Sequence, residues 1–201
     1  MTAHGGDALW AGIRARHPRL RDAVPADARI TARLRGERHE FHSRADLVAQ
    51  VVRLCWQSDA FLAQLLYRVK ARGQALGIPL LPRLAHRLAL ALAQVCIGDP
   101  VVMHPGVYIA HGQVVADGLV EIHEGAILFP WITIGLRAGD VRGATIERGA
   151  SLGTGAKVIG GVRIGAGATV GANAVVVDDV PAGTTVTGAP ARVVGQPEGS
   201  D

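Results

Sequence analysis

Cysteine is nearly absent: Cys55 and Cys96 are the only two in 201 residues. They have no metal-like spacing and lie in apolar segments patterned as helix. A disulfide framework is thereby excluded, and reduced, buried thiols in a cytoplasmic protein are the expectation. Nowhere do eighteen apolar residues run uninterrupted, so no membrane span is expected. The opening MTAHGGDALW has no apolar run behind a basic stretch and does not read as a secretion signal. Aromatic residues are scarce as well, at 4%. That scarcity bears on the charge. Residues 1–98 hold 15 basic against 7 acidic residues (+8), whereas residues 99–201 hold 6 against 10 (−4). A basic half can mark a nucleic-acid surface, but these arginines lie along helical segments without interleaved stacking aromatics. They read as solvated helix faces.

What the chain has in abundance is a period of six. Ile122, Leu128, Ile134, Ile146, Leu152, Val158, Ile164, Val170 and Val176 hold one phase, broken only by Asp140. Four residues on, Ala126, Ile132, Ala138, Ala150, Ala156, Val162, Ala168, Ala174 and Val180 hold a second phase of small or β-branched side chains. Six matches neither the 3.6 of an amphipathic helix nor the 2 of an alternating strand. It matches a solenoid in which every six-residue rung makes one short flat β-face. Glycines between the rungs suit backbone that turns where a Cβ would clash.

Four zones follow. Residues 1–44 are polar and Arg-rich; Pro18 and Pro25 are expected to break any long helix, leaving one short helix near Asp7–Arg16. Residues 45–98 are helical. Ser43 looks like an N-cap with Asp46 three positions on, and Leu47, Val51, Leu54, Phe61, Leu65 and Val69 keep helical spacing through Arg72. Gly73 and Gly77-Ile78-Pro79 end that helix, and a second runs from about Pro82 to Cys96. Gly98-Asp99-Pro100 marks the boundary with a β-helix over residues 99–195, followed by a polar tail, 196–201, expected to be disordered.

The rungs, the exit Gly188-Ala189-Pro190-Ala191-Arg192 and the preceding helices resemble the hexapeptide-repeat acyltransferases, most nearly serine O-acetyltransferase and its relatives. The likeness covers residues 80–195 well and 45–80 more loosely. It implies a left-handed parallel β-helix behind an α-helical N-terminal region, and a homotrimer with acetyl-CoA as co-substrate in the groove between subunits. The helices would then either cap one trimer or join two. It further implies a small-molecule hydroxyl acceptor, with no metal, nucleic acid or membrane partner.

The same resemblance assigns roles. In Tyr108-Ile109-Ala110-His111-Gly112, His111 takes the place of the general base that strips the proton from the acceptor hydroxyl; a neutral imidazole suits that work near neutral pH. Tyr108 flanks it as a substrate contact. Where the serine enzymes carry Asp-Ile-His-Pro and an Asp directly before the base, this chain has Val102-Met103-His104-Pro105 and Ala110. Asp117 and Glu121 are the nearest candidates for the missing partner carboxylate. Arg-His-Pro-Lys-Ile of the family aligns with Arg142-Gly143-Ala144-Thr145-Ile146, which keeps Arg142 to grip an acceptor carboxylate and loses the second histidine. For the acyl-CoA, Gly135 falls by the thioester arm, Thr154 and Ala172 on small turns facing the pantetheine, and Arg192 near a phosphate. Lys157 and Arg163 add to a positive rim, and the loop Leu136–Ala144 is expected to overhang the acceptor. The six-residue phase slips by one residue, read as near Asp117.

Three other readings stand beside this one. Relatives that acetylate sugars share a Tyr-Ile-small-His stretch without the Asp, so a sugar or another hydroxylated small molecule is an alternative acceptor. A trimeric zinc hydratase of the carbonic anhydrase type would use His104, His111 and His123, but spacings of 7 and 12 do not suit ligands on adjoining coils. His104 instead reads as structural, and His123, beside inward Ile122, as pointing outward. A trimeric scaffold without catalysis would keep the rungs alone. No serine or cysteine of the β-helix looks activated as a nucleophile, so direct transfer is expected rather than a covalent intermediate.

Overall fold

The computed structural model describes residues 3–194. Five helices precede a parallel β-solenoid of about five turns: α1 (Ala3–Arg16), α2 (Leu20–Leu34), α3 (Arg44–Gln57), α4 (Asp59–Ala75) and α5 (Leu81–Ala93). The first face stacks β1 (Val95–Ile97), β4 (Val114–Ala116), β7 (Thr133–Gly135), β10 (Lys157–Ile159) and β13 (Val175–Val176). The second stacks β2 (Val102–Met103), β5 (Leu119–Ile122), β8 (Arg142–Ile146) and β11 (Arg163–Ile164). The third stacks β3 (Tyr108–Ile109), β6 (Ile127–Leu128), β9 (Ser151–Leu152), β12 (Thr169–Val170) and β14 (Thr185–Gly188), and the antiparallel β15 (Ala191–Val194) closes its end.

Both six-residue phases point inward, except that Ala138 of the second phase is exposed in a loop. Val120 and Ile122, Ala126 and Leu128, and Ile132 and Ile134 are all essentially buried, with one outward residue between each pair. Each face thus contributes two side chains to a dry core, and the small member of the pair sits next to the corner. The solenoid starts at Val95, three residues before the turn Gly98-Asp99-Pro100, which forms a corner of the first coil. Cys96 accordingly lies on β1. It and Cys55 are free and only half-buried.

The helical zone is more extensive than the sequence suggests. Pro25 lies inside α2 without ending it. In the second turn it deprives only the Arg21 carbonyl of a partner, and Arg21 is solvent-exposed. Conversely, the apolar run from Leu47 to Arg72 is two helices. Ser58, extended at φ −139°, ends α3 and caps α4 by accepting a hydrogen bond from the Phe61 N–H at 3.2 Å. The cap anticipated at Ser43 forms with the Asp46 N–H at 3.1 Å.

Helix α4 closes the open end of the solenoid. The first coil has no preceding rung, so its carbonyls would face apolar packing unpaired. Polar side chains of α4 supply the donors. Tyr67 Oη donates to the Val101 carbonyl at 2.8 Å, Gln64 to Val107 at 2.9 Å and Lys70 to Ile97 at 2.6 Å. Arg68 donates to the Met103 and His104 carbonyls and forms a two-pronged pair with Asp27 of α2 at 2.9 and 3.1 Å. Asp27 also accepts from the Gly106 N–H at 2.8 Å. Arg68 and Asp27 are each 2% exposed. Losing one partner of such a pair strands a buried charge, at a cost of about 3–5 kcal/mol.

Candidate active site around His111

Inward pairs follow one another every six residues except at three places. Val107 to Val114 takes seven, Ile132 to Ala144 takes twelve, and Val176 to Val180, which stacks on Ile164, takes only four. The single extra residue therefore sits at the third corner, between β3 and β4, and not near Asp117. It is the stretch Ala110–Gln113, and it contains His111. The twelve-residue step is a projecting loop between β7 and β8 at the first corner, six residues longer than a plain turn.

The widened third corner is held on both sides. Ala110 N–H donates to Leu128 at 2.9 Å, and Gln113 N–H to the Ala93 carbonyl at the end of α5, also 2.9 Å. Gly112 presses against that same carbonyl: a Cβ there would fall 2.0 Å from the Ala93 oxygen. His111 is left exposed. It faces a depression of about 370 Å³ lined by Arg35, the residue capping the end of α2, Gln57, Ser58 and Asp59 from the α3–α4 junction, Gln113, Pro130 and Trp131. Beside it on successive coils runs a column of corner residues, Gly112, Pro130, Thr154 and Ala172, set in order by Trp131 N–H to Gln113 (2.8 Å), Gly155 N–H to Pro130 (2.9 Å) and Asn173 N–H to Thr154 (2.9 Å). Thr154 and Ala172 are exposed in this column. Lys157 reaches back to the Trp131 carbonyl at 2.7 Å and puts a positive charge on the same edge.

The other anticipated residues lie elsewhere on the chain. Asp117 is at the far end of β4, at the first corner, its carboxylate lying over Gly98. Within one chain it is no partner for His111. Glu121 is on the second face, where Oε1 accepts from His104 Nε2 at 2.8 Å and Oε2 from Arg16 at 3.1 Å. Burial opposes ionisation of Glu121, but the hydrogen bond from His104 and the charge of Arg16 hold its pKa below the ordinary value. Arg142 stands at the first corner with 79% of its side chain exposed, clamped on Asp140 at 2.7 Å. Gly135 ends β7 at that corner too. Tyr108 is half-buried on the third face, and burial raises its hydroxyl pKa against the opposing charge of Arg35. Arg192 is exposed on β15, 3.9 Å from Asp178, and Arg163 pairs with Glu147 on the second face at 2.7 Å. The expected tail, 196–201, lies outside the described residues.

The trio His104, His111 and His123 does not assemble. His104 and His123 stack on adjacent coils of the second face, whereas His111 is at the third corner. A larger cavity of about 700 Å³ lies away from His111, between α1 and the start of α5, walled by Trp10, Ile13, Ile78, Leu80 and Pro82. His17 edges it with a pKa lowered to about 4, by burial first and then by the charges of Arg68 and Lys70.

Arg35, Asp59, Gln113 and Trp131 are the residues of the depression that sequence patterning did not single out. Asp59 carried one readable signal, a Ser-Asp start for a new helix. Arg35 is near the site only because α2 packs on β3.

The family of bacterial transferase hexapeptides (six repeats) matches residues 143–178. No curated protein matches the chain. Among solved structures it is similar to soybean serine acetyltransferase in its apoenzyme form, at 28% identity and a TM-score of 0.62, over 90% of this chain and 71% of that one. A serine acetyltransferase in complex with CoA aligns at 27% identity and a TM-score of 0.63, over 68% of this chain and 57% of that one. The Neisseria gonorrhoeae serine acetyltransferase in complex with serine shares the fold at 23% identity and a TM-score of 0.71, over 86% and 68%. The chain spans only 56–58% of the length of several other serine acetyltransferase structures it matches. Its repeats are similar to the hexapeptide transferase family over residues 143–178, and its architecture is similar to that of serine acetyltransferases.

Proposed function

We propose that the chain is an acetyl-CoA-dependent O-acetyltransferase, with His111 as the general base for a small hydroxylated acceptor. One observation carries the reading: the only one-residue widening of the described solenoid corners presents His111 to a depression, at the head of a column of small corner residues. His111 takes the acceptor hydroxyl proton as the oxygen bonds to the thioester carbonyl carbon. The tetrahedral adduct then expels the CoA thiolate, which recovers the proton from the imidazolium. Backbone N–H groups of the adjoining glycine-bearing corner can oppose the developing oxyanion. Thr154 and Ala172, with Lys157 beside them, offer the narrow, positively charged edge that a pantetheine arm and its phosphates require.

The acceptor is favoured to be a hydroxy amino acid, because CoA and serine are bound by proteins of the same fold and Arg142 stands where a carboxylate could be gripped. Within one chain Arg142 and His111 lie at different corners. Their cooperation therefore requires a neighbouring copy, and the reading includes a homotrimer whose grooves join the third corner of one copy to the first-corner loop of the next. Leu84, Leu88 and Leu92, 57%, 40% and 52% exposed along one stripe of α5, give such an assembly an apolar face. Cytoplasmic action suits the free thiols, and no helix of the described residues is long and apolar enough to cross a membrane.

The test is acceptor-dependent thiol release from acetyl-CoA, run on wild type and His111→Ala with L-serine, other hydroxy amino acids and simple sugars. Release with a hydroxy amino acid that disappears in the variant supports the reading. Release with sugars alone moves the acceptor, and release that survives in His111→Ala removes His111 from its role. A solution mass other than a multiple of three times 21.0 kDa overturns the shared groove.

A further inference from the structure

The second face carries a cluster that the acetyl-transfer reading does not use. His104 and His123 occupy the same rung position on successive coils, because Met103 pairs with Ile122 in the parallel register of β2 and β5. Stacked strands are spaced about 4.7–4.9 Å apart, and the two imidazoles lie face to face at 4.5 Å, tilted by only 11°. Glu121 precedes His123 by two residues and so points out of the same face. Its Oε1 lies 2.8 Å from His104 Nε2 and 4.0 Å from His123 Nε2. One oxygen and two imidazole nitrogens converge, all within 4.8 Å of one another.

We infer that His104, Glu121 and His123 form a binding site for a divalent d-block cation of the zinc class. Tetrahedral zinc with bonds of about 2.0–2.1 Å separates its ligand atoms by about 3.3 Å. The two distances to Glu121 Oε1, 2.8 and 4.0 Å, bracket that value. Small χ rotations of the histidines bring both nitrogens to it, and they also tilt the rings out of their parallel stack so that each lone pair meets the ion. Two imidazoles and one carboxylate select zinc-like ions over magnesium or calcium, which prefer all-oxygen shells. The carboxylate is already oriented for a single-oxygen bond. Arg16, at the end of α1, holds Oε2 at 3.1 Å and leaves Oε1 to the histidines. Partners of this kind outside the ligand set fix ligand direction and typically contribute about 10–100-fold in affinity.

The three side chains are about a third exposed or less, at 34%, 26% and 32%. An ion can therefore enter, and a fourth position stays open to water. The ligands come from the first two coils and the orienting arginine from α1, so a bound ion fastens the helical region to the solenoid. This site is separate from His111 and does not depend on the acetyl-transfer reading.

Untagged full-length protein, freed of metal by chelator, is titrated with Zn²⁺ by calorimetry and with Co²⁺ by visible absorption. Thermal unfolding is followed with and without Zn²⁺. The expected result is one ion per chain, the visible bands of four-coordinate cobalt, and a Tm raised by Zn²⁺. His104→Ala, His123→Ala and Glu121→Gln each weaken binding at least about tenfold, and Arg16→Ala about tenfold. His111→Ala and the loop variant His39→Ala/His42→Ala leave it unchanged. Glu121→Gln keeps shape and hydrogen bonding, so its loss of the ion cannot be ascribed to misfolding. Absence of stoichiometric binding overturns the inference. So does binding that persists in His104→Ala/His123→Ala, or that vanishes in the His39/His42 variant.

Discussion

The second and third corners of the solenoid turn the chain through the same angle with different residues. At the second corner the left-handed position is glycine on every coil: Gly106, Gly125, Gly149, Gly167 and Gly183, with φ between 66° and 75°. At the third corner it is Gln94, Gln113, Trp131, Gly155 and Asn173, with φ of 53°, 59°, 67°, 75° and 58°. Glycine enters this region without penalty, whereas an ordinary L-residue loses about 1–2 kcal/mol there. One corner is made as cheaply as the backbone allows. The other accepts a repeated cost and gains side chains, of which Gln113 and Trp131 wall the depression that His111 faces. Strain kept where glycine would relieve it marks a working surface, and this corner is also the one widened by a residue.

Removing the imidazole has the largest expected effect. His111→Ala lowers kcat by about 10²–10⁴-fold, the usual worth of a positioned base, with acetyl-CoA affinity within about twofold. Asn at Gly125 or Gly149, at the glycine corner, leaves kcat within about threefold; Asn is among the residues that tolerate the left-handed region. Steady-state kinetics with calorimetric CoA binding check both. Equal loss of turnover and affinity in His111→Ala ends the assignment of a base.

A smaller effect tests the widening itself. Gly112→Ala drives a Cβ to 2.0 Å from the Ala93 carbonyl, so the corner must move away from α5. Overpacking of this kind costs about 1–3 kcal/mol. The displacement carries His111 with it, and kcat falls about tenfold while KM for acetyl-CoA changes less. Gly149→Ala has open space around its Cβ and loses only the left-handed preference, about 1 kcal/mol, with turnover unaffected. Urea melts paired with kinetics separate the two. If both variants lose stability alike and neither loses rate, the third corner is no more than a turn.

How much of this was legible depended on whether local spacing or distant packing set the feature. The inward phases were readable through Val176 because the first-corner loop adds six residues, one full period, so Ile146 returns in step with Ile134; Val180, expected in the small-residue phase, stacks on Ile164 of the other one after a step two residues short. Only Asp140 betrayed the interruption. The extra residue at His111 was harder to locate: a one-residue slip shows only after the next coil resumes, which displaced it in the sequence toward Asp117. Helix limits failed where one residue overrode a pattern. Ser58 divides an apolar run of uniform period, and Pro25 sits early enough in α2 to be tolerated. His111 stood out through its neighbours Tyr108 and Ile109. Arg35 and Asp59 did not, since α2 and the α3–α4 junction bring them to the site by packing on β3 and the first coil. Glu121, close to His111 in sequence, is carried to another face because the chain turns a corner between them.

The smallest effect is opposite in sign. Gln113→Gly and Trp131→Gly relieve left-handed strain of about 1–2 kcal/mol, less the entropy glycine gives back to the unfolded chain. Trp131 is 58% exposed, so little burial is lost with its ring. Each variant should gain about 0.5 kcal/mol, the balance of those two effects. Asn173→Gly should gain almost nothing, because asparagine tolerates this conformation through its own local hydrogen bonding. Turnover should move against stability, since Gln113 and Trp131 both wall the depression that His111 faces, with KM for the acceptor rising severalfold. Stability gains without a kinetic loss would mean that the side chains at this corner are tolerated and not used. Stability losses would mean that Gln113 and Trp131 make contacts worth more than the strain they carry, and the two corners would then differ in packing, not in purpose.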